Sequence, residues 1–330
     1  MRILTWHVHG NYLYYLTQVP HEFYVPVKPG RPAGYGGRTG AFPWPDNLHE
    51  VPADDVRHLP LDVVLFQARQ HYVDDQHTLL SPAQRRLPRI YLEHDPPREH
   101  PTDTRHLVDD PEVLLVHVTH FNALMWDSGR TPTRVIEHGV VVPRTVRYTG
   151  TLRRGVVVIN NLRTRGRRLG ADIFERVRGE VPLDLIGMDA ASMGGLGEFP
   201  PPALPATIAR YRFFFNPIRY TSLGLAVCEA MTIGMPIVGL ATSEMVTVVE
   251  NGVSGYLDTN VDRLVTRMRA LLEDPSAARR LGAGARDSAL ERFGIERFVR
   301  DWEDVFAQVA DHPQASTGTE RRSMAAGAVV

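Results

Sequence analysis

Short apolar runs alternate with helix-period segments along the chain, most clearly in its second half. Phe213–Phe215 is short and aromatic enough to be a buried parallel strand. Apolar residues recur with a helical period over Leu223–Ile233, and Gly234 with Pro236 ends that helix. Ile237–Leu240 is a second buried strand. The order predicts a strand–loop–helix–strand unit, whose loop lies where such sheets bind anionic ligands.

The same alternation organises the first half of the chain. Strands are predicted at 2–8, 22–25, 61–67, 89–92, 113–118 and 133–137, and helices at 12–19 and 121–127. A turn is predicted at Gly10, and Pro26 should end the second strand because proline cannot donate to a ladder. The irregular stretch 28–45 is either functional or mobile, and its Tyr35, Arg38 and Trp44 would suit a substrate lid.

Further strands and helices continue this rhythm to about residue 310. Strands are predicted at 156–159 and 183–187, and helices at 170–178, 205–211, 261–272, 276–289 and 295–310. Periodicity is lost near residue 146, where we place a domain boundary. The predicted parts are 1–146 and 147–295 as doubly wound α/β domains, 296–312 as a helix crossing back to the first domain, and 313–330 as a disordered tail.

Composition indicates an ordinary water-exposed globular protein. The chain has 330 residues, 43% of them hydrophobic and 23% charged, and its formal net charge of −1 gives no support for a nucleic-acid partner. The single cysteine, Cys228, cannot form an intramolecular disulfide and fits a small core residue. The first ten residues do not form a signal peptide, and no apolar window is long enough for an integral membrane segment. We therefore expect a cytoplasmic location.

Two stretches carry candidate chemistry. Arg163, Arg165, Arg167 and Arg168 form a basic cluster after a predicted strand, although an arginine run can also be a solvated helix face. His94 follows another predicted strand, where catalytic groups sit in open α/β sheets; the alternative is a surface loop stiffened by prolines. Adjacent aspartates at 54–55, 74–75 and 109–110 do not make a D-x-D metal site, so no metal is predicted.

The segment Ser222–Val238, SLGLAVCEAMTIGMPIV, resembles the signature of retaining glycosyltransferases of family four. Val248–Gly255, VVENGVSG, resembles a later turn of the same family, and Arg134–Val140 resembles the strand end before its linker. The resemblance implies the GT-B fold, in which two doubly wound Rossmann-like domains face a central cleft. It also implies metal-independent retaining transfer from a nucleotide-diphospho-sugar to an unknown hydroxyl acceptor, with no cofactor.

The resemblance assigns roles to particular residues. Arg163 and Arg168 (or Arg167) would neutralise the phosphates, and His94 would contact the donor sugar or the transition state. Glu229 would accept from the ribose hydroxyls, and the start of its helix would add backbone donors for the phosphates. The donor-binding set is completed by the glycine after strand one and the loop before the helix: Gly10, Thr221, Ser222, Leu223, Gly224 and Leu225.

One position departs from the family pattern. The family has a glutamate eight residues before Glu229, where this chain has Thr221, which cannot place a negative charge beside the sugar. Asp189, Glu198 or Glu244 could substitute. Two alternatives therefore stay open. One is a sugar-nucleotide epimerase or hydrolase, favoured by the cluster Glu93, His94, Asp95, Glu99 and His100. The other is a catalytically silent nucleotide-sugar-binding protein, favoured by Thr221.

Overall fold

The structure is a computed structural model that describes residues 1–311, so the predicted disordered tail, 313–330, lies outside the described residues. Two all-parallel sheets divide this part of the chain, one of seven strands and one of five. The predicted doubly wound α/β architecture is confirmed. The predicted boundary near residue 146 falls in the segment between the two sheets.

The first sheet occupies the N-terminal domain. Its strands are β1 Arg2–Leu4, β2 Glu22–Val27, β3 Leu48–Pro52, β4 Val63–Phe66, β5 Arg89–Glu93, β6 Val113–His117 and β7 Thr133–Val135. The helices are α1 Gly10–Leu16, α2 Gln76–Leu79 and α3 His120–Met125, with a π-helical turn at His71–Asp75 and 3-10 turns at Ala53–His58 and Gln84–Arg86. Strand order is β3-β2-β1-β4-β5-β6-β7. The order reverses between β1 and β4, which makes their carboxyl ends a topological switch point.

The second sheet occupies the C-terminal domain. Its strands are β8 Leu152–Val158, β9 Leu183–Ile186, β10 Tyr211–Asn216, β11 Ile237–Leu240 and β12 Gly255–Asp258, in the order β12-β11-β10-β8-β9. The helices are α4 Leu162–Arg165, α5 Ala171–Arg178, α6 Leu204–Ile208, α7 Leu225–Ile233, α8 Met245–Val248, α9 Val261–Glu273, α10 Pro275–Arg292 and α11 Ile295–Ala310, with 3-10 turns at Gly166–Leu169 and Ala190–Met193. Here the switch point lies between β8 and β10.

Burial on both faces explains why the central strands read as continuous apolar runs. Every residue of β4, β6 and β10 is buried, as expected for parallel strands covered by helices on each side. Helix α11 packs against the first domain, where Phe298 meets the ring of Tyr12 at 5.7 Å and Phe306 meets Phe23 at 6.4 Å. Trp302 between them is fully buried. The last helix thus completes the core of the first domain.

Three local predictions were wrong. Pro26 lies inside β2 instead of ending it, because β1 pairs with β2 only as far as Tyr24 and the missing donor breaks no ladder bond there. Gly10 is the first residue of α1 and does not form a turn. Strand β3, LHEVP, was missed because only Leu48 of this edge strand is buried and the strand contains polar side chains.

Two segments connect the domains. One is the linker after β7, and the other is the α10–α11 junction; they touch where Val140 N donates to Phe293 O at 3.0 Å. Within residues 1–311, none of the helices combines the length and apolar character needed to cross a membrane. The cytoplasmic location stays a prediction.

Candidate functional site

The candidate site is the cleft at the carboxyl ends of the strands beside the two switch points. The first domain contributes the loops after β1, β4 and β5, and the second contributes the loops after β8 and β10. Open parallel sheets bind ligands at these positions, because there the connecting helices leave on opposite faces and open a crevice. The topology therefore brings together segments that are far apart in sequence.

His94 lies in this cleft in a fixed orientation. Its Nε2 is 3.0 Å from Oε1 of Gln67, whose own amide donates to Trp6 O at 3.0 Å. Because a carbonyl only accepts, the Gln67 oxygen faces His94, and His94 Nε2 carries the proton. Burial lowers the pKa of His94 well below its usual range, and the nearby His9 and His138 lower it further. His94 is therefore a neutral imidazole whose Nδ1 can accept a hydrogen bond.

His9 is the neighbour of His94 and occupies the N-cap position of α1, without a capping bond from its side chain. The two rings meet edge to face at 4.5 Å. Desolvation lowers the pKa of His9, Asp95 opposes this effect, and Arg165 and Arg98 add to it. These electrostatic couplings connect the end of β5 in one domain with the arginine segment of the other.

The four arginines of the basic cluster after β8 differ in their burial and in their partners. Arg163 is exposed and its guanidinium bonds to Ser192 in the loop after β9. Arg165 is half-buried, and burial together with the charge of Arg168 lowers its pKa. Within residues 1–311 neither Arg165 nor Arg168 forms an ion pair, and Arg168 Nη1 is buried without a hydrogen-bond partner. Arg167 instead pairs with Asp172 at 2.6 Å.

The loops after β8 and β10 are clamped to each other. Arg219 forms two bonds to Asp172, at 2.6 and 2.8 Å, and the Arg168 carbonyl accepts from Arg219 N at 3.0 Å. Gly170 stands at the contact with φ 82°, and a side chain there would collide with the Pro217 carbonyl. This packing holds the arginine segment against the loop 217–224.

The predicted donor-binding loop lies at this same edge. Thr221 is half-buried, Ser222 and Leu223 are buried, and Leu225 begins α7. The Leu223 carbonyl accepts from His138 Nε2 of the first domain at 2.9 Å. Gly224 has an ordinary φ of −72° and open space at its Cβ position, so its backbone geometry does not require glycine.

Glu229 joins the two domains. Its carboxylate is buried and accepts from Tyr15 Oη at 2.6 Å and from Asn11 Nδ2 at 3.3 Å, both on α1. Burial raises the pKa of Glu229, although these two hydrogen bonds lower it. The ribose role of Glu229 stays a prediction, and in this structure a ribose would compete with Tyr15 and Asn11.

Gly10 is held by packing in the first domain. A Cβ atom there would lie 2.8 Å from the Phe42 ring and 3.2 Å from His7 Nε2. Phe42 belongs to the predicted lid, 28–45, which is tied to the domain: Tyr35 is buried and the His7 ring contacts the Gly37 carbonyl at 2.5 Å. Tyr35 is therefore a core residue in this structure.

The other candidate acidic groups have structural partners. Glu93 faces His106 at 3.1 Å, and Asp95 pairs with Arg98, so the cluster named for an epimerase or hydrolase is not gathered around His94. Asp189 accepts from Ser192, and Glu244 pairs with Arg292 at 3.0 Å. Glu198 is exposed. The described part of the chain contains no group of three or more His, Cys, Asp or Glu side chains placed to hold a metal ion.

Sequence reasoning missed Arg165 and His9 as cleft residues. The arginine segment was interpreted as a loop, whereas Leu162–Arg165 is a helical turn that directs neighbouring side chains to different sides. The helical turn ends at Arg165, and Gly166, with φ 57° and ψ −142°, separates it from the 3-10 turn that carries Arg168, so helical spacing could not have selected this pair from the sequence. His9 carried no signal either.

Solved structures share this two-domain fold. Sucrose-phosphate synthase from Thermosynechococcus elongatus superposes with a TM-score of 0.68 at 13% identity, covering 94% of this chain and 99% of that chain. The Anabaena protein HepE, crystallised with UDP-glucose, gives 0.66 at 15% identity, with 93% and 100% covered. The fold is GT-B, with two Rossmann-like domains facing a cleft.

Sequence comparison finds a family match within the second domain. Residues 195–288 match the family described as Glycosyl transferases group 1. N-acetyl-alpha-D-glucosaminyl L-malate synthase of Bacillus anthracis is 33% identical over 90 residues, which are 27% of this chain and 24% of the relative. D-inositol 3-phosphate glycosyltransferase of Nocardioides sp. is 34% identical over 130 residues, 37% and 28% of the two chains. The chain thus spans about a quarter of the length of these relatives.

Proposed function

We propose that this protein is a glycosyltransferase that moves a sugar from a nucleotide-diphospho-sugar to an acceptor hydroxyl. The observation that carries the proposal is the pair Arg165 and Arg168, which have no ion-pair partner within residues 1–311 and lie at the switch point beside the matched family segment. Breaking the glycosidic bond leaves negative charge on a diphosphate. Fixed positive charge in a partly desolvated cleft stabilises that charge as it develops.

The proposal extends to a metal-independent, retaining reaction. The arginines would supply the charge that a metal provides elsewhere, since Arg165 and Arg168 form no ion pair within residues 1–311 and guanidinium groups suit phosphate oxygens. Retention is implied by the family resemblance of the α7 segment. On that view the leaving phosphate itself assists the acceptor hydroxyl, so a separate general base is not needed. Neutral His94 would then accept a hydrogen bond from the sugar through Nδ1.

A silent nucleotide-sugar-binding protein is the second candidate. By the family resemblance, Thr221 stands where a glutamate is expected, and Glu229 is occupied by Tyr15 and Asn11. The threonine favours binding without turnover, whereas a bound ribose would have to displace Tyr15 and Asn11 from Glu229. Neither proposal specifies which molecule carries the acceptor hydroxyl.

Calorimetric titration with UDP, GDP, ADP and dTDP, followed by donor turnover with and without acceptors, tests the proposal. We expect micromolar binding of one nucleotide and transfer of the sugar from its diphospho-sugar. UDP is tried first because HepE, which shares the fold, was crystallised with UDP-glucose. Absence of nucleotide binding would overturn both candidates. Binding without transfer would leave the silent protein.

His94→Ala separates binding from chemistry. We expect the variant to bind the nucleotide like the wild type and to lose turnover, because the imidazole lies at the cleft and not among the arginines. His100→Ala, an exposed histidine in the same loop region, is the matched control and should keep both properties.

A further inference from the structure

A second cavity, here called the hinge cavity, lies between the two segments that connect the domains. Its volume is about 670 Å³, and it is lined by the linker 140–147, by the end of α10 and by the start of α11. Its size falls within the range of small-molecule sites, roughly 300–1,000 Å³. It is built from residues that do not belong to the cleft.

The lining is strongly basic. Its charged side chains are two glutamates, Glu291 and Glu296, and five arginines: Arg144, Arg147, Arg286, Arg297 and Arg300. A protein with net charge −1 has placed an excess of positive charge in one concave surface. Such a surface attracts anions because the walls focus the field of the charges.

Most of these arginines lack a compensating carboxylate. Among residues 1–311, Arg297 pairs with Asp301 at 2.6 Å, whereas the other four form no ion pair. Arg147 bonds to backbone carbonyls of the linker, and Arg286 bonds to the Thr232 carbonyl. Burial and the nearby charge of Arg147 lower the pKa of Arg286, as expected when like charges converge. Arginines without a carboxylate partner can bind an anion from solution.

Backbone donors add to this charge. The 16-residue helix α11 begins at the cavity wall, and its N-cap, Gly294, provides no side-chain cap. The first amide groups of α11 therefore add donors and the positive end of the helix dipole, which Glu296 partly offsets. The buried Nε of Arg297 also has no hydrogen-bond partner within the described residues.

We propose that the hinge cavity binds a small molecule carrying at least two phosphate groups. Four arginines without carboxylate partners match more than one anionic group, and guanidinium forks suit phosphate oxygens. The limited volume, about 670 Å³, favours a compact ligand over a nucleic-acid strand or a membrane surface. The site is distinct from the cleft, and the inference does not depend on glycosyl transfer.

The test uses inorganic triphosphate as the probe in calorimetric titration. Because the cleft arginines are proposed to bind phosphate, the background protein carries Arg165→Gln and Arg168→Gln. We expect this background to bind one equivalent, with an affinity that falls as salt increases. Adding Arg147→Gln and Arg286→Gln should weaken binding at least about tenfold. Arg279→Gln, on α10 outside the cavity, should leave binding unchanged.

Two results would overturn the proposal: no binding to the background protein, or unchanged binding after the cavity arginines are replaced. Arg286→Gln also removes the bond to Thr232, so thermal melting must show that the variant is folded. If it is not folded, the titration is repeated with Arg147→Gln and Arg300→Gln in place of the first pair, since both of these side chains are exposed and their replacement should not disturb folding. The outcome of this triphosphate titration does not depend on whether the cleft binds a nucleotide.

Discussion

Arg168 holds a guanidinium nitrogen in the protein interior without a hydrogen-bond partner in residues 1–311. A buried unpaired donor of a charged group costs free energy. Arg163 came from the same basic run and the same family resemblance, yet its side chain already bonds to Ser192. Comparing a substitution of Arg168 with the same substitution of Arg163 therefore separates the effect of charge in the cleft from the effect of charge beside it.

Arg168→Gln should weaken binding of the nucleoside diphosphate by about ten- to a hundredfold, the loss expected for one charge-assisted contact. Arg163→Gln should change the affinity much less, because its exposed guanidinium is already bonded to Ser192. Isothermal titration of both variants measures this difference. Equal losses in the two variants would return Arg163 to the phosphate site.

Tyr15 is the residue that satisfies the buried Glu229 carboxylate from the other domain. Tyr15→Phe removes this donor and leaves Asn11 alone to bond the carboxylate, so the free energy of unfolding should fall by about 1–3 kcal/mol. Tyr14→Phe is the control, because Tyr14 is only partly buried and its hydroxyl makes no hydrogen bond within residues 1–311. Urea unfolding of both variants gives the comparison, and equal stabilities would argue that the Tyr15 bond contributes nothing.

At the scale of elements, burial decided which predictions succeeded. Strands β4, β5, β6 and β10 were predicted because both faces are covered and the runs are apolar. Strand β3 and the π-helical turn His71–Asp75 have no such signal, since their polar residues are placed by tertiary contacts. Boundaries also shifted by a few residues, as at β1, because pairing partners end a strand and the local pattern does not show them.

Helix α11 gives an element-scale prediction. Trp302 is fully buried on this helix, and Trp302→Ala should lower the free energy of unfolding by about 3–5 kcal/mol through lost burial and the cavity left behind. Asp304→Ala, on the exposed side of α11, removes only a surface contact to Arg134 and should cost less than about 1 kcal/mol. Chemical denaturation followed by far-UV circular dichroism compares them. A small effect of Trp302→Ala would mean that α11 does not stabilise the first domain.

For the whole molecule, buried histidines make stability depend on pH. Burial lowers the pKa of His71, His117 and His138 to about 4. In the unfolded chain a histidine takes up its proton near pH 6.5, so the unfolded state binds more protons between pH 6.5 and 4. The free energy of unfolding should therefore fall as pH drops through this window, by up to about 1.4 kcal/mol per pH unit for each histidine.

Urea unfolding at pH 7, 6 and 5 measures this slope, and His117→Leu tests its origin. Neither ring nitrogen of His117 has a hydrogen-bond partner within residues 1–311, so the leucine should cost no bond and make the slope shallower. The exposed His58→Leu should leave the slope as it is. An unchanged slope in His117→Leu would show that His117 does not titrate differently in the two states.

The architecture was open to prediction from sequence, and the site only in part. Alternating strands and helices, together with the α7 motif, indicated two doubly wound domains and the edge where they meet. His94 and Thr221 were placed correctly at that edge because each follows a strand. The partners of Glu229 could not be predicted, since Tyr15 lies 214 positions away and nothing local connects the two residues. Contacts of this kind depend on how the domains dock.

Helix α11 also has a consequence for biosynthesis. Tyr12 and Phe23 leave the ribosome well before Phe298 and Phe306, which cover them. While the second domain is being synthesised, the apolar groove of the first domain that α11 later covers stays exposed to solvent. We expect nascent chains stalled before residue 295 to bind chaperones and to be cut readily by proteases. Chaperones should leave the groove once α11 has been synthesised and can cover it.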